Sequence, residues 1–375
     1  MITAAMSTSF PPALPGSTPV VRVPELPRKG RQRTVLAGLS LLLAVTTLLC
    51  AALGAYQIDP WRIPLLLWQG LQPGELGMAD AQTRAVLLDI RLPRVLLAIL
   101  VGCGFGAAGS AMQALFRNPL ADPGLIGVSS GAALGAALTI VLGATLWPNA
   151  LRMVGIYAPM LAAFIGALAV AMLVYRIAAA RGRLALPLLL LAGIAINAIV
   201  GAAIGLLIYV ASDDQLRTLT FWNLGSLAGA QWSLLAVATP VVVFSIAALA
   251  RHSAALNAML LGEAEAMHLG VPVQAIKRQV LIASALCVGA LVACTGAIGF
   301  IGLVAPHCIR LVCGPDQRVV LPGALLFGAI LTLVADLIAR TVAAPAEMPL
   351  GILTALLGGP FFMVLLWRRR GQLGL

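Results

Sequence analysis

The chain has 375 residues, of which 61% are hydrophobic and 10% charged, with a mean hydropathy of +1.02 and a formal net charge of +11. A water-soluble fold of this length needs far more polar surface, so the composition indicates a polytopic, all-α membrane protein. The basic residues lie scattered in short segments between apolar spans, as orientation signals do, which excludes a nucleic-acid-binding domain.

Residues 1–33 are rich in Pro, Ser and Thr and end in the basic cluster Arg28 to Arg33, which reads as a mobile cytoplasmic tail. The apolar stretch from Thr34 to Tyr56 is too long for a signal-peptide core and long enough to span, so it is an uncleaved first helix. Residues 57–90 contain WRIPLLLWQGL, an amphipathic interfacial helix with tryptophans at headgroup level. The run Arg91-Leu-Pro-Arg94 then opens a span over 92–114. The segment RNPLADPGLIGVSSGAALG at 117–135 interrupts the backbone with two prolines and several glycines where the span 124–144 begins. Such breaks at membrane depth survive only where protein or a water-lined path covers them. Asp122-Pro123 supplies a helix start, Asp as cap and Pro in the first turn.

Further spans are predicted over 154–178, 185–209, 232–250, 278–298, 301–313, 320–340 and 350–367, ten in all, within one membrane domain of residues 34–370. Residues 211–231 pair acidic groups with a Phe221-Trp222 anchor, and 251–277 form the longest inside loop. Both termini are expected in the cytoplasm. Inside segments then contain Arg28 to Arg33, Arg117, Arg176, Arg181, Arg183, Arg251, Lys277, Arg278, Arg310, Arg318 and Arg368 to Arg370. Outside segments contain Asp59, Glu75, Asp80, Asp89, Asp213, Asp214 and Glu347. The six cysteines fall in or beside apolar spans without a C-x-x-C pair and read as small buried hydrophobes; no metal-ligand set is expected.

The chain has two lysines, Lys29 and Lys277, and neither lies in a Walker A loop, so it cannot bind ATP in that manner. Its three histidines form no catalytic triad or H-E-x-x-H pattern, and no enzymatic activity is expected. The candidates for ion coupling inside the spans are few: Asp336, Asn197 and Asp122. An ion-coupled secondary carrier is poorly equipped by that set, and energy is expected from a partner. The loop segment LLGEAEAMHLGV at 260–271 reads as a short helix, a Gly turn and a second start, with Leu261, Met267 and Leu269 offering apolar contact. Periodicity alone leaves it either a solvated connection or a rigid element that takes force from a soluble subunit.

Taken in order, RLPR, RNPLADPGLIGVSSGAALGA, LLLAGIAIN, LLGEAEAMHLGV, GAIGFIGLVAPHCIR and ADLIARTVAAPAEMPLGILTALLGGPFF run from Arg91 to Phe362. Together they resemble the permease family of ABC importers for iron siderophores, heme and cobalamin. The resemblance implies about ten transmembrane helices per subunit and a homodimer in the bacterial inner membrane, with the path on the two-fold axis. It implies two cytoplasmic ATPase subunits, which bind the ATP, and a periplasmic substrate-binding protein. It assigns ATPase coupling to Gly262, Glu263, Ala266, Leu269 and Gly270, and binding-protein docking to Arg91, Arg94 and Arg340, which otherwise read as snorkelling anchors. It assigns the gate and path to Asn118, Leu120, Leu186, Pro187, Gly193 and Asn197. Asn118 also reads as a helix cap, and Gly193, Asn197, Gly201 and Gly205 also read as a packing face. The wording of FRNPLADPGLIGVSSGAALGA is closest to the heme permeases, which makes heme or a related ferric chelate the expected cargo, with no cofactor held permanently. Ferric siderophore and cobalamin are the alternatives.

Overall fold

A computed structural model describes residues 28–54, 56, 58–70, 78–180, 183–343 and 346–370. The tail residues 1–27, together with Glu75 and Arg181, lie outside the described residues. The first helix, α1 (Arg28–Ala52), already includes the basic cluster, six residues ahead of the expected start at Thr34. Two short helices follow, α2 (Ile63–Gly70) and α3 (Met78–Ala85). Trp61 and Trp68 beside them are 89% and 63% exposed, as an interfacial anchor requires. A π-helical stretch, Val86–Arg91, runs directly into α4 (Leu92–Leu115), so the second span is longer than expected at its start. The widened turn lies just before Pro93, whose ring would otherwise collide with the carbonyl one turn earlier.

Beyond α4 come α5 (Val128–Leu146), α6 (Pro148–Val154) and α7 (Ala158–Ala178). A two-residue hairpin, β1 (Ala179–Ala180) with β2 (Arg183–Leu184), leads into α8 (Leu186–Val210). Helix α9 (Asp213–Leu224) starts with a reciprocal cap between Ser212 and Gln215. The remainder is α10 (Trp232–Arg251), α11 (Ser253–Leu261), α12 (Glu263–His268), α13 (Val273–Thr295), α14 (Ile301–Cys313), α15 (Gln317–Val342) and α16 (Leu350–Arg370). Among the described residues, eight helices are long and apolar enough to cross a membrane. The two shorter apolar helices, Ile301–Cys313 and Leu350–Val364, coincide with the other two expected spans. The α-helical, polytopic class is the observed one.

Helix α4 lies at the centre. Of the most apolar stretch of Asp80–Leu115, 78% is buried, against 22% for Gly30–Ala52 and for Leu186–Val210. The close approach is made by glycine. A Cβ at Gly102 or Gly106 would meet the backbone of Gly328 or Ala324 in α15, and one at Gly109 would meet the Gly302 carbonyl in α14. The same device joins α5 to α7, where Gly131 and Gly135 face the backbone of Gly166 and Ala162. Because Gly102 sits on Gly328 and Gly106 on Ala324, α4 and α15 run antiparallel.

The expected helix start at Asp122-Pro123 is a 3-10 turn instead. Asp122 accepts from the Gly124 amide at 2.7 Å and caps Pro123–Ile126. Gly127, in the left-handed region, then turns the chain into α5 at Val128, four residues later than expected. Proline and Asp open this turn as they would a helix, so the sequence signal was sound while the element was shorter.

Candidate docking, coupling and gate sites

The arginines of the two expected docking motifs converge at one end of the bundle. Arg94 donates to Asp336 at 2.9 Å and to Glu347 at 2.8 Å. Arg340 pairs with Asp336 at 3.5 Å, one turn along α15, and donates to the Cys50 carbonyl at the end of α1. Asp336 is 1% exposed. It is thus the shared counter-ion of two guanidinium groups, not a free carboxylate in a span. Arg91 turns inward in this chain. It is buried and closes on the carbonyls of Ala51 and Ala52 at 2.6 Å and on that of Tyr56, so it clasps the end of α1. Glu347, the half-exposed carboxylate on this cluster, had no signal in the sequence beyond its charge.

At the opposite end, α11, Gly262, α12 and the Gly270 turn form the expected helix-turn-helix loop. Its faces are divided differently from the expectation. Gly262 and Ala266 are buried and Glu263 turns inward to Lys277 at 2.6 Å, so these three attach the loop to the bundle. Leu261, Met267 and Leu269 are 69%, 59% and 66% exposed and, with Gly270, make the outward face. A buried polar network braces this end. The Gln317 side chain accepts from Ser110 at 2.7 Å, its backbone N–H donates to the Asn257 side chain, and that side chain donates to Asp316 at 2.6 Å.

The gate residues also lie at this end. The Asn118 side chain accepts from the Leu120 amide at 3.0 Å, a local turn that ends the α4 C-terminus. A cavity of about 390 Å³ is lined by Phe116 and Arg117 from that turn, by Leu184 to Pro187 and Leu190 from the start of α8, and by Glu263 and Lys277. Of the expected gate residues, Leu186 and Pro187 line this cavity, next to Glu263 of the loop, while Asn118 and Leu120 follow the two lining residues Phe116 and Arg117. Higher along α8, Gly193 packs on the Leu125 carbonyl and Asn197 accepts from Ser130 at 2.6 Å. Gly193 is thus tied to the turn before α5 and Asn197 to the first turn of α5, whereas a Cβ at Gly201 or Gly205 would meet nothing within 4 Å.

The model of the FecCD transport family matches residues 42–368. The chain belongs to the FecCD transport family. Within it, the hemin transport system permease protein HmuU of Yersinia pestis is 51% identical over 76% of this chain and 84% of that relative. The vitamin B12 import system permease protein BtuC of Klebsiella pneumoniae is 39% identical over 91% of this chain and 96% of its own length. A solved ABC transporter of metal-chelate type, in an inward-facing conformation, superposes with a TM-score of 0.77 at 31% identity, covering 90% of this chain and 99% of that one. As a FecCD protein the chain is a multi-pass permease subunit of an ABC importer. Its arginine cluster and its helix-turn-helix loop stand at opposite ends of the bundle.

Proposed function

We propose that this FecCD permease imports heme as a homodimer in the bacterial inner membrane, with both termini cytoplasmic. The single observation that carries the cargo is the 51% identity to a hemin permease, against 39–40% for the vitamin B12 permeases among its relatives. Energy comes from ATP on two separate cytoplasmic subunits, and cargo from a periplasmic binding protein. The unpartnered face of α8, with Leu191, Ile194, Ile199 and Leu206 exposed and Gly201 and Gly205 open, supports a second copy and a path on this side. Leu186, Pro187, Asn118 and Leu120 close that path at the loop end, and Gly193 and Asn197 hold α8 in place along it.

The test is uptake into proteoliposomes that contain the permease with its ATPase, supplied with ATP and loaded binding protein. ATP-dependent accumulation of hemin, with no accumulation of cobalamin or a ferric siderophore, is the expected result. Accumulation of one of the other two overturns the cargo and keeps the class.

On this reading Leu261, Met267 and Leu269 are the contact with the ATPase. The double variant Met267→Asp with Leu269→Asp is expected to lose co-purification with the ATPase while the permease itself stays folded, because both side chains are already in solvent. Retained co-purification would remove the face from the interface. On the other side of the membrane, docking uses Arg94 and Arg340, and Glu347 holds the place of an incoming carboxylate on Arg94. Removing that internal competitor in Glu347→Gln is expected to tighten binding-protein docking by about two- to fivefold, the scale of a rim ion pair. Weakened docking, read in nanodiscs by surface plasmon resonance, would contradict it.

A further inference from the structure

One of the two lysines in the chain is almost entirely out of solvent. Lys277, in the second turn of α13, is 2% exposed. Its ammonium donates to both carboxylate oxygens of Glu263, at 2.6 and 2.7 Å, and to the carbonyl of Leu184 at 3.2 Å. Gln274, one turn earlier on the same helix, accepts from the amide of Leu184 at 2.8 Å. The peptide groups on both sides of Leu184 are therefore gripped by α13, and one of the two grips is shared with α12. Leu184 ends β2, Ala185 is the cap of α8, and Leu186-Pro187 follow at once. The same Glu263 and Lys277 line the cavity together with Leu186 and Pro187.

Lys277 is held only where its counter-charge stays within reach, because separation from Glu263, whose own side chain is 35% exposed, leaves the lysine desolvated and unpaired. Glu263 opens α12, whose other face is the exposed surface of Met267 and Leu269. A displacement of α12 thus has to carry Lys277 with it or break the pair, and Lys277 is fastened to the segment that begins α8. We infer that Lys277 is a positioning residue that relays movement of the coupling helix α12 to the gate end of α8 through Glu263 and the Leu184 carbonyl. The inference rests on the importer reading above. Lys277 touches neither cargo nor nucleotide; it acts through the hairpin it holds.

The experiment measures hemin taken up per ATP hydrolysed, in proteoliposomes with the ATPase and loaded binding protein. Lys277→Met keeps the length and removes the charge. It is expected to leave a complex that still hydrolyses ATP, while uptake per ATP falls by at least about fivefold, the lower range of an intersite coupling. An unchanged ratio, with both rates intact or both lowered in proportion, overturns the relay and leaves a merely structural lysine. If Lys277→Met does not assemble, Gln274→Leu decides. It spares the ion pair and loosens only the Leu184 amide, so a smaller fall in the ratio supports the relay and an unchanged ratio rejects it. Wild-type complex without ATP-dependent uptake would instead reject the importer reading, and the relay with it.

Discussion

Asp336→Asn is expected to destabilise the protein by about 3–5 kcal/mol, the cost of removing one partner from a buried charge cluster. The carboxylate is 1% exposed and serves two guanidinium groups whose own side chains are 12% and 9% exposed. Without it Arg340 keeps only the Cys50 carbonyl among the contacts described above, and Arg94 keeps only Glu347 at the rim. The loss is read as a lowered midpoint of thermal unfolding in detergent, followed by size-exclusion chromatography. Glu347→Gln in the same assay should change stability by less than about 1 kcal/mol, since its pair with Arg94 is half in solvent. Equal midpoints for Asp336→Asn and the parent would show that the cluster contributes nothing to folding.

Gly109→Val is expected to be as damaging for a different reason. The added Cβ would occupy the position of the Gly302 carbonyl, and neither helix backbone can move aside locally. Overpacking of ordinary side chains costs about 1–3 kcal/mol. Here the obstacle is backbone, so separation of α4 from α14 and little recoverable folded protein are expected. Gly201→Ala is the matched control. It meets nothing within 4 Å, and a helix-interior alanine in place of glycine gains about 1 kcal/mol. Normal yield of Gly109→Val, measured as monodisperse protein after solubilisation, would refute the close contact.

Eight of the ten expected spans were legible because apolar length and the charges between them identify a membrane helix without reference to its neighbours. Which face of a span is buried was not legible, because a helix that is apolar all round has no polar stripe to orient it. That is why Gly109 and Gly201, two glycines in apolar spans, have opposite surroundings. Arg94 and Arg340 were legible as charges at helix ends, yet the pairing of Arg94 with Asp336 and Glu347 joins residues 242 and 253 apart in the chain. Arg91 closes on α1 carbonyls 39 and 40 positions earlier, a contact that no local pattern announces. Glu263 and Ala266 were found as members of the loop motif, while their inward orientation follows from a lysine 14 positions later. Ser212 and Gln215 carried a readable capping box that the emphasis on Asp213 and Asp214 passed over.

The glycine contacts also divide the molecule mechanically. Where backbone lies on backbone, as between α4, α14 and α15 or between α5 and α7, no side chain stands between the helices to change rotamer, so each group travels as one solid body. Around α13 the contacts are cushioned, with Leu291 and Cys287 against Gly104 on one side and Ala167 and Phe164 against Gly289 on the other. Slippage belongs to those cushioned seams, and α13 is the bearing between two plates that are each too tightly meshed to shear internally.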